Sequence, residues 1–503
     1  MKRLLTAVAI GIAALAAGHG EAAAQDPSNP PQTLPTPPTK PTPPDEGKPA
    51  KREEKGDAKE KPKGDEKGDA KPKGDKKIPV SYQSPKRPLP DYDGRGDDPT
   101  TVGDVAIWVP RLIFSPLYLT SEYLIRRPLG ALITGAERAG LPEALYDFFT
   151  FGPNHNAGFL PIGFVDFGFN PSVGLFLFWR DAFFKGNEFQ IHGTTWGTDW
   201  IAAQFVDRIT FHNRDTLILQ ASGIRRPDHA FFGIGPNSLQ GDRSRYGRDQ
   251  VDVSAMVDLH LWRASRLEAG MGVKTVEIYN GHFGGDPNID QSVAAGRFGV
   301  PYGFDRGYTA EYNQLTAALD TRQPRPAPGS GIRVELNALQ GNDVRRSPGS
   351  GWVKYGGTVG GFYDLNDRGR VVSLSFNTQF ADPLGGRDIP FLELVSLGGS
   401  NPMRGFFPGR LLGRSAAVLT ARYRWPIWIW LDGSIQAAVG NVFDEHLKDF
   451  KPSLLRFSGA IGVESVGSPD SSFELLVGMG SETFDHGGQI NSFRLSVGSN
   501  RGF

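Results

Sequence analysis

The chain has 503 residues, with 55 basic and 55 acidic side chains, so its formal net charge is zero; nucleic acid, which rewards a large positive surplus, is excluded as the main partner. There is no cysteine, which removes a disulfide framework, a thiol nucleophile, an iron–sulfur cluster, cysteine-ligated zinc and a lipid-anchored amino-terminal cysteine. Sixty-four glycines and 33 phenylalanines against five methionines point to a β-rich chain rather than a helical bundle.

Residues 1–24 read as a secretory signal peptide. Lys2 and Arg3 precede the apolar run Leu4–Ala17, and Ala22-Ala23-Ala24 supplies small residues for cleavage. Residues 25–103 change abruptly to Pro, Lys, Asp, Glu and Gly, with Lys-Gly-Asp recurring at 55–57, 63–65, 67–69 and 73–75. Almost nothing here can be buried, so the entropy of ordering goes uncompensated and a disordered periplasmic leader is expected. The leader is either a flexible spacer or a tether to periplasmic proteins or the anionic cell wall. Residues 104–150 form a connector. Val105–Phe114 is apolar, and Leu117–Ile125 and Leu129–Ala139 have helix-like apolar spacing broken by Pro116 and Pro128. Short amphipathic helices are expected, lying on a membrane surface or capping the main domain.

From residue 151 to 503 the dominant signal is period two. In Val251–Leu261, Val251, Val253, Ala255, Val257, Leu259 and Leu261 alternate with Asp252, Ser254, Asp258 and His260. The same alternation runs through Ile332–Leu339 and Val372–Phe380. Successive strand side chains point to opposite faces, so each segment has one apolar and one polar face. The segments are roughly ten to fourteen residues long, which suits tilted strands crossing a bilayer. Outside the signal no apolar run is long enough for a helical span, and backbone groups in lipid must be satisfied internally, which leaves a closed barrel.

Sixteen antiparallel strands are predicted, near 158–168, 172–184, 187–197, 200–211, 214–224, 249–262, 265–279, 307–321, 331–340, 352–364, 369–381, 414–426, 429–441, 454–466, 471–481 and 490–503. Connections after even-numbered strands are mostly tight. Those near 225–248, 280–306 and 382–413, after odd-numbered strands, are long. Outer-membrane barrels have short periplasmic turns and long outer loops, so both termini are expected in the periplasm of a Gram-negative cell. Phe493, Leu495 and Val497 alternate toward Phe503, a terminal aromatic that resembles the assembly signal of outer-membrane barrels.

The segment 388–410 reads DIPFLELVSLGGSNPMRGFFPGR. The pair Gly398-Gly399 followed by Met403-Arg404-Gly405-Phe406 resembles the sixth extracellular loop of the bacterial surface antigen superfamily, the BamA/TamA type of outer-membrane barrel. Phe231–Ser238 and Gly440–Asp444 resemble further loops of that family. The resemblance implies a loop that folds back into the lumen, its arginine meeting a carboxylate and an aromatic on the inner wall. This chain departs from that pattern, because the family's wall aspartate aligns with Ala438 and its aromatic with Gln436. Arg404 therefore needs another partner: Glu464, on the polar face shared with Arg456 and Ser458, comes first, and Asp432 second. Residues 25–104 lack the strand–helix pattern of a POTRA module, so the chain resembles the branch of the superfamily without them.

No Gly-x-Ser-x-Gly elbow, His-Glu-x-x-His or Walker loop occurs, and the nine histidines are scattered. Asp252, Asp258 and His260 fall on one polar face, where lumen lining is expected rather than catalysis. No catalytic, cofactor-binding or metal-ligating residue is assigned. The resemblance implies insertion or transport of protein or lipid at the outer membrane by a monomeric barrel whose partner is outer-membrane lipid. The alternative is a passive pore or a structural surface barrel.

Overall fold

The computed structural model describes residues 141–500 apart from 153, 213, 323–328, 347–348, 400–401, 429–430 and 466–471, together with isolated positions from Trp108 to Ala139. The expected signal peptide, leader, most of the connector and Phe503 lie outside the described residues. Sixteen antiparallel strands close into one barrel. They are β1 Ala157–Asp166, β2 Ser172–Arg180, β3 Asn187–Thr195, β4 Ile201–His212, β5 Asp215–Phe231, β6 Ser244–Trp262, β7 Ser265–Asn280 and β8 Tyr308–Asp320. Then follow β9 Gly331–Asp343, β10 Gly351–Asp364, β11 Val371–Leu384, β12 Ser415–Trp428, β13 Leu431–Phe443, β14 Arg456–Ser465, β15 Ser472–Ser481 and β16 Ile490–Asn500. Each pairs with its sequence neighbours, and β16 pairs back to β1.

The period-two pattern decides which way each strand faces. Val253 and Leu336 are 56% and 61% exposed on the outer wall, whereas Asp258 is fully buried on the inner one. No helix among the described residues is long and apolar enough to cross a membrane. All sixteen predicted strands are present, but β5 and β6 are longer than expected. Their ladder continues past a bulge between Arg226 and His229 up to Phe231 opposite Ser244, so the loop shrinks to 232–243. Pro227, which has no N–H for the ladder, sits in that bulge. The periodicity is interrupted there by Arg225, Arg226, Pro227 and Asp228, which is why strand looked like loop.

Strand length varies around the wall. β5, β6 and β7 have 17, 19 and 16 residues. β1, β2 and β3 have 10, 9 and 9, and β14, β15 and β16 have 10, 10 and 11. At about 3.3 Å per residue the short set just spans a bilayer core when tilted, while β5–β7 rise well above it.

The long-loop end of the lumen is filled. Residues 385–414, between β11 and β12, fold inward and carry a small hairpin, Val395–Leu397 against Leu411–Gly413. Phe391, Leu397, Met403, Phe406 and Leu411 from this loop join Phe231, Tyr308 and Trp352 from the wall in the main apolar core. At the other end helix α1, Leu141–Phe149, leads into the two-residue strand Thr150–Phe151, which pairs with Gly158 and Ala157 of β1.

Candidate functional site

The inward loop is pinned at two opposite walls. At one, the Arg404 side chain is 5% exposed and its Nη2 donates to Glu474 Oε2 of β15 at 2.6 Å. Glu464 of β14 is second, at 3.7 Å from Nη1, and it also pairs with Arg422. Glu464 and Glu474 stand directly opposite each other in the β14–β15 ladder. A guanidinium placed between them neutralises a pair of carboxylates that would otherwise repel. Asp432, the other expected partner, faces Arg424 at 3.6 Å.

Backbone contacts complete this anchor. The Gly405 N–H donates to Ser458 Oγ at 2.9 Å, and Ser492 Oγ donates to the Gly405 carbonyl at 3.3 Å. The wall is stripped of side chains where the tetrad lies. A Cβ on Gly478 would sit 2.8 Å from Gly405 Cα, and one on Gly480 would sit 2.5 Å from the Phe406 ring. Gln436 donates to the Pro402 carbonyl, and Ala438 packs in the core that contains Met403 and Phe406. Arg494 of β16 donates to the carbonyls of Gly399 and Arg404 and to Asp166 at the end of β1, 3.1 Å away. Gly398 and Gly399, at φ of +107° and +83°, make the turn that aims the tetrad inward.

At the far wall the loop is held by Glu393. It is 3% exposed and meets Lys274 of β7 at 2.7 Å, Lys354 of β10 at 3.5 Å and the hydroxyl of Tyr308 on β8. Burial pushes this carboxyl up, but the Lys354 and Lys274 ammoniums overcome it and hold Glu393 down to about 2. A third cluster ties this loop to the other long connections. Arg410 donates to Ser238 Oγ at 2.9 Å and to Gln240 at 3.0 Å, and lies 3.5 Å from Glu482. Arg456, fully buried, pairs with Glu482 and donates to the carbonyls of Pro236 and Ser238. Asn441 also reaches the Pro236 carbonyl, at 3.1 Å. The three segments singled out in the sequence, around 231–238, 398–410 and 440–444, thus converge on one another.

Beside this loop the wall is thinly joined. Among the described residues, the β16–β1 ladder consists of Ser496, Val497 and Gly498 against Asp166, Val165 and Phe164. Elsewhere ladders are long; β6 and β7 stay paired from Tyr246 to Trp262. At Gly498 φ is +136°, and a Cβ there would strike Phe164 Cα at 2.7 Å. Beyond it Ser499 and Asn500 remain paired with β15.

The model of the Omp85 superfamily domain matches residues 184–498, more than half of the chain. The chain belongs to the Omp85 superfamily. Similar solved structures include BamA from Haemophilus ducreyi lacking POTRA domains 1–3, at 14% identity and TM-score 0.49, covering 68% of this chain and 70% of that one. CdiB from Acinetobacter baumannii has 10% identity and TM-score 0.43, with 68% and 60% covered. Among curated proteins the search finds no match. The Omp85 barrel described here is therefore an outer-membrane protein of an insertion and transport family, in contact with outer-membrane lipid.

Two residues of this Omp85 lumen escaped the sequence reading. Glu474 was readable, because the predicted strands 454–466 and 471–481 lie close enough in sequence to bring it near Glu464, its partner in the ladder. Glu393 stands as a lone carboxylate in the apolar run Ile389–Val395, which is itself a signal. The polar residues of β6 do not converge. Asp252 receives the Tyr312 hydroxyl at 2.9 Å, whereas His260 lies eight residues along the same strand, roughly 26 Å away.

Proposed function

We propose that this barrel inserts or translocates amphipathic chains, protein or lipid, at the outer membrane through the β1–β16 seam. The observation that carries the reading is the ladder closing the sixteen-stranded wall, which among the described residues has three pairs. Each ladder pair contributes little alone, so parting three pairs costs far less than parting sixteen. The short strands flanking the seam thin the bilayer beside it, lowering the barrier to lateral passage. The lumen loop, pinned through Arg404 and Glu393, braces the wall while the seam moves.

In this reading the short turns and both termini face the periplasm, and the barrel works as a monomer. The 25–103 leader reaches periplasmic proteins or the cell wall. A passive pore is the competing reading, and the loop lying across the lumen opposes it. No residue is assigned a catalytic role. Depletion of the protein, followed by measurement of other outer-membrane barrels and of outer-leaflet lipid, tests the proposal. A fall in either is expected; unchanged levels of both would remove it.

A further inference from the structure

The seam edge of β1 is not bare along its whole length. Backbone groups alternate along the strand. The Asn156 carbonyl accepts from Arg180 of β2, and the Phe167 N–H donates to Leu495 of β16. Even-numbered residues therefore turn their N–H and C=O toward β2, and odd-numbered ones toward the seam. The edge has three parts. Phe164–Asp166 is taken by β16. Phe159–Gly163 is paired, among the described residues, by β2 alone. Ala157 and Gly158 are taken by Phe151 and Thr150.

The segment that supplies Thr150 and Phe151 is wedged into the gap below the short ladder. Phe149, the last residue of α1, packs against the Leu160, Ile162, Phe176 and Phe178 cluster on the inner face. It also meets Phe159 edge-on, ring centres 5.4 Å apart. The Phe149 carbonyl lies so close to Gly158 that a Cβ there would sit 2.6 Å from it. Thr150 Oγ1 is bonded to the Tyr146 carbonyl and lies 2.8 Å from His155 Nδ1, which stiffens the turn from helix to strand. The wedge thus occupies the Ala157–Gly158 part of the edge, and the apolar surface beside it, that an added strand would use.

We propose that the Leu141–Phe151 segment is an internal competitor for the edge of β1 at Ala157 and Gly158, and that a strand entering the seam along the full length of β1 must displace it. This inference rests on the strand-accepting seam of the preceding subsection and adds its regulation. An edge strand left bare invites indiscriminate pairing, and a tethered cover removes that hazard while remaining reversible. Its occupant is local and already in place, so an incoming strand binds in proportion to the fraction of molecules whose wedge is out.

Because the chain has no cysteine, the wedge can be locked by a designed disulfide. Three full-length proteins are reconstituted in lipid vesicles, each with a photo-crosslinking residue at position 161. They are the otherwise native chain, Phe149→Ala, and Phe151→Cys with Ala157→Cys. The probe is a biotinylated peptide of this chain's own residues 490–500. Phe149→Ala is expected to raise capture about tenfold over the native chain. The oxidised lock should abolish capture, and reductant should restore it to the native level. Equal capture by all three proteins, with the lock confirmed by mass, overturns the competitor role and leaves the strand-accepting seam standing. Capture by none overturns both.

Discussion

Arg404 and Glu393 hold the lumen loop by opposite chemistry. Arg404 brings a cation to two wall carboxylates, and Glu393 brings an anion to two wall lysines. Removing one member of a buried pair costs more than the pair contributes, because the other charge is left desolvated. Arg404→Ala is thus expected to destabilise the folded barrel by about 3 kcal/mol, read by urea unfolding in micelles, and to make its conductance fluctuate. Adding Glu474→Gln should recover part of the loss, and an additive double mutant would exclude the pairing. Glu393 makes a pH-dependent case. Its folded pKa of about 2 lies below the unfolded value of about 4.3, so its stabilisation is complete above that value and is lost as pH falls toward 2. The protection of amides at 389–397, measured against the intrinsic exchange rate at each pH, should be high in the native chain at pH 5 and fall as pH drops from about 4 to about 2. In Glu393→Gln the protection should be low at every pH.

At the scale of elements, the strands and their closure into a barrel were both legible in the sequence. A half-wet, half-apolar wall writes itself as alternation, and alternation survives wherever one face meets lipid and the other water. It faded at Arg225–Asp228 because β5 and β6 rise there above the apolar zone, where neither face needs a hydrocarbon partner. The motif around Arg404 was readable as a loop that turns inward, and Glu464 as a residue on the correct face. That Glu474 is nearer depends on about an ångström of loop placement, 2.6 against 3.7 Å, which no periodicity encodes. The seam offers the element-level test. Val165 and Val497 are direct partners across it, so Val165→Cys with Val497→Cys can form a disulfide at an ordinary cross-strand distance. Oxidised protein is expected to lose the depletion-rescue activity and to regain it with reductant. Full activity of the locked protein would place passage somewhere other than the seam.

For the whole molecule the governing fact is an apolar exterior around a charged interior. Val251, Met271, Leu315, Ile332, Leu374 and Leu419 all lie exposed on the outer wall. A continuous belt of this kind far exceeds what a soluble monomer tolerates. The purified protein is expected to be monodisperse in detergent and to aggregate when the detergent is removed, as light scattering would show. A monodisperse species in plain buffer would contradict the barrel's setting. The same inside-out arrangement shields the ion pairs that hold the inward loop, those of Arg404, Glu393 and Arg456, from bulk salt, so their contribution to stability should depend little on ionic strength.

One guanidinium sits at a crossroads. Arg494 grips Asp166 on the neighbouring strand while donating to two carbonyls of the inward loop. If the loop withdraws, Arg494 loses two acceptors and must rearrange, which weakens its hold on Asp166. If the two strands separate, the loop loses a donor in turn. Thermodynamic linkage requires the two effects to be equal. A surface ligand that tugs the loop outward would ease lateral opening by the same factor by which an open wall favours that ligand.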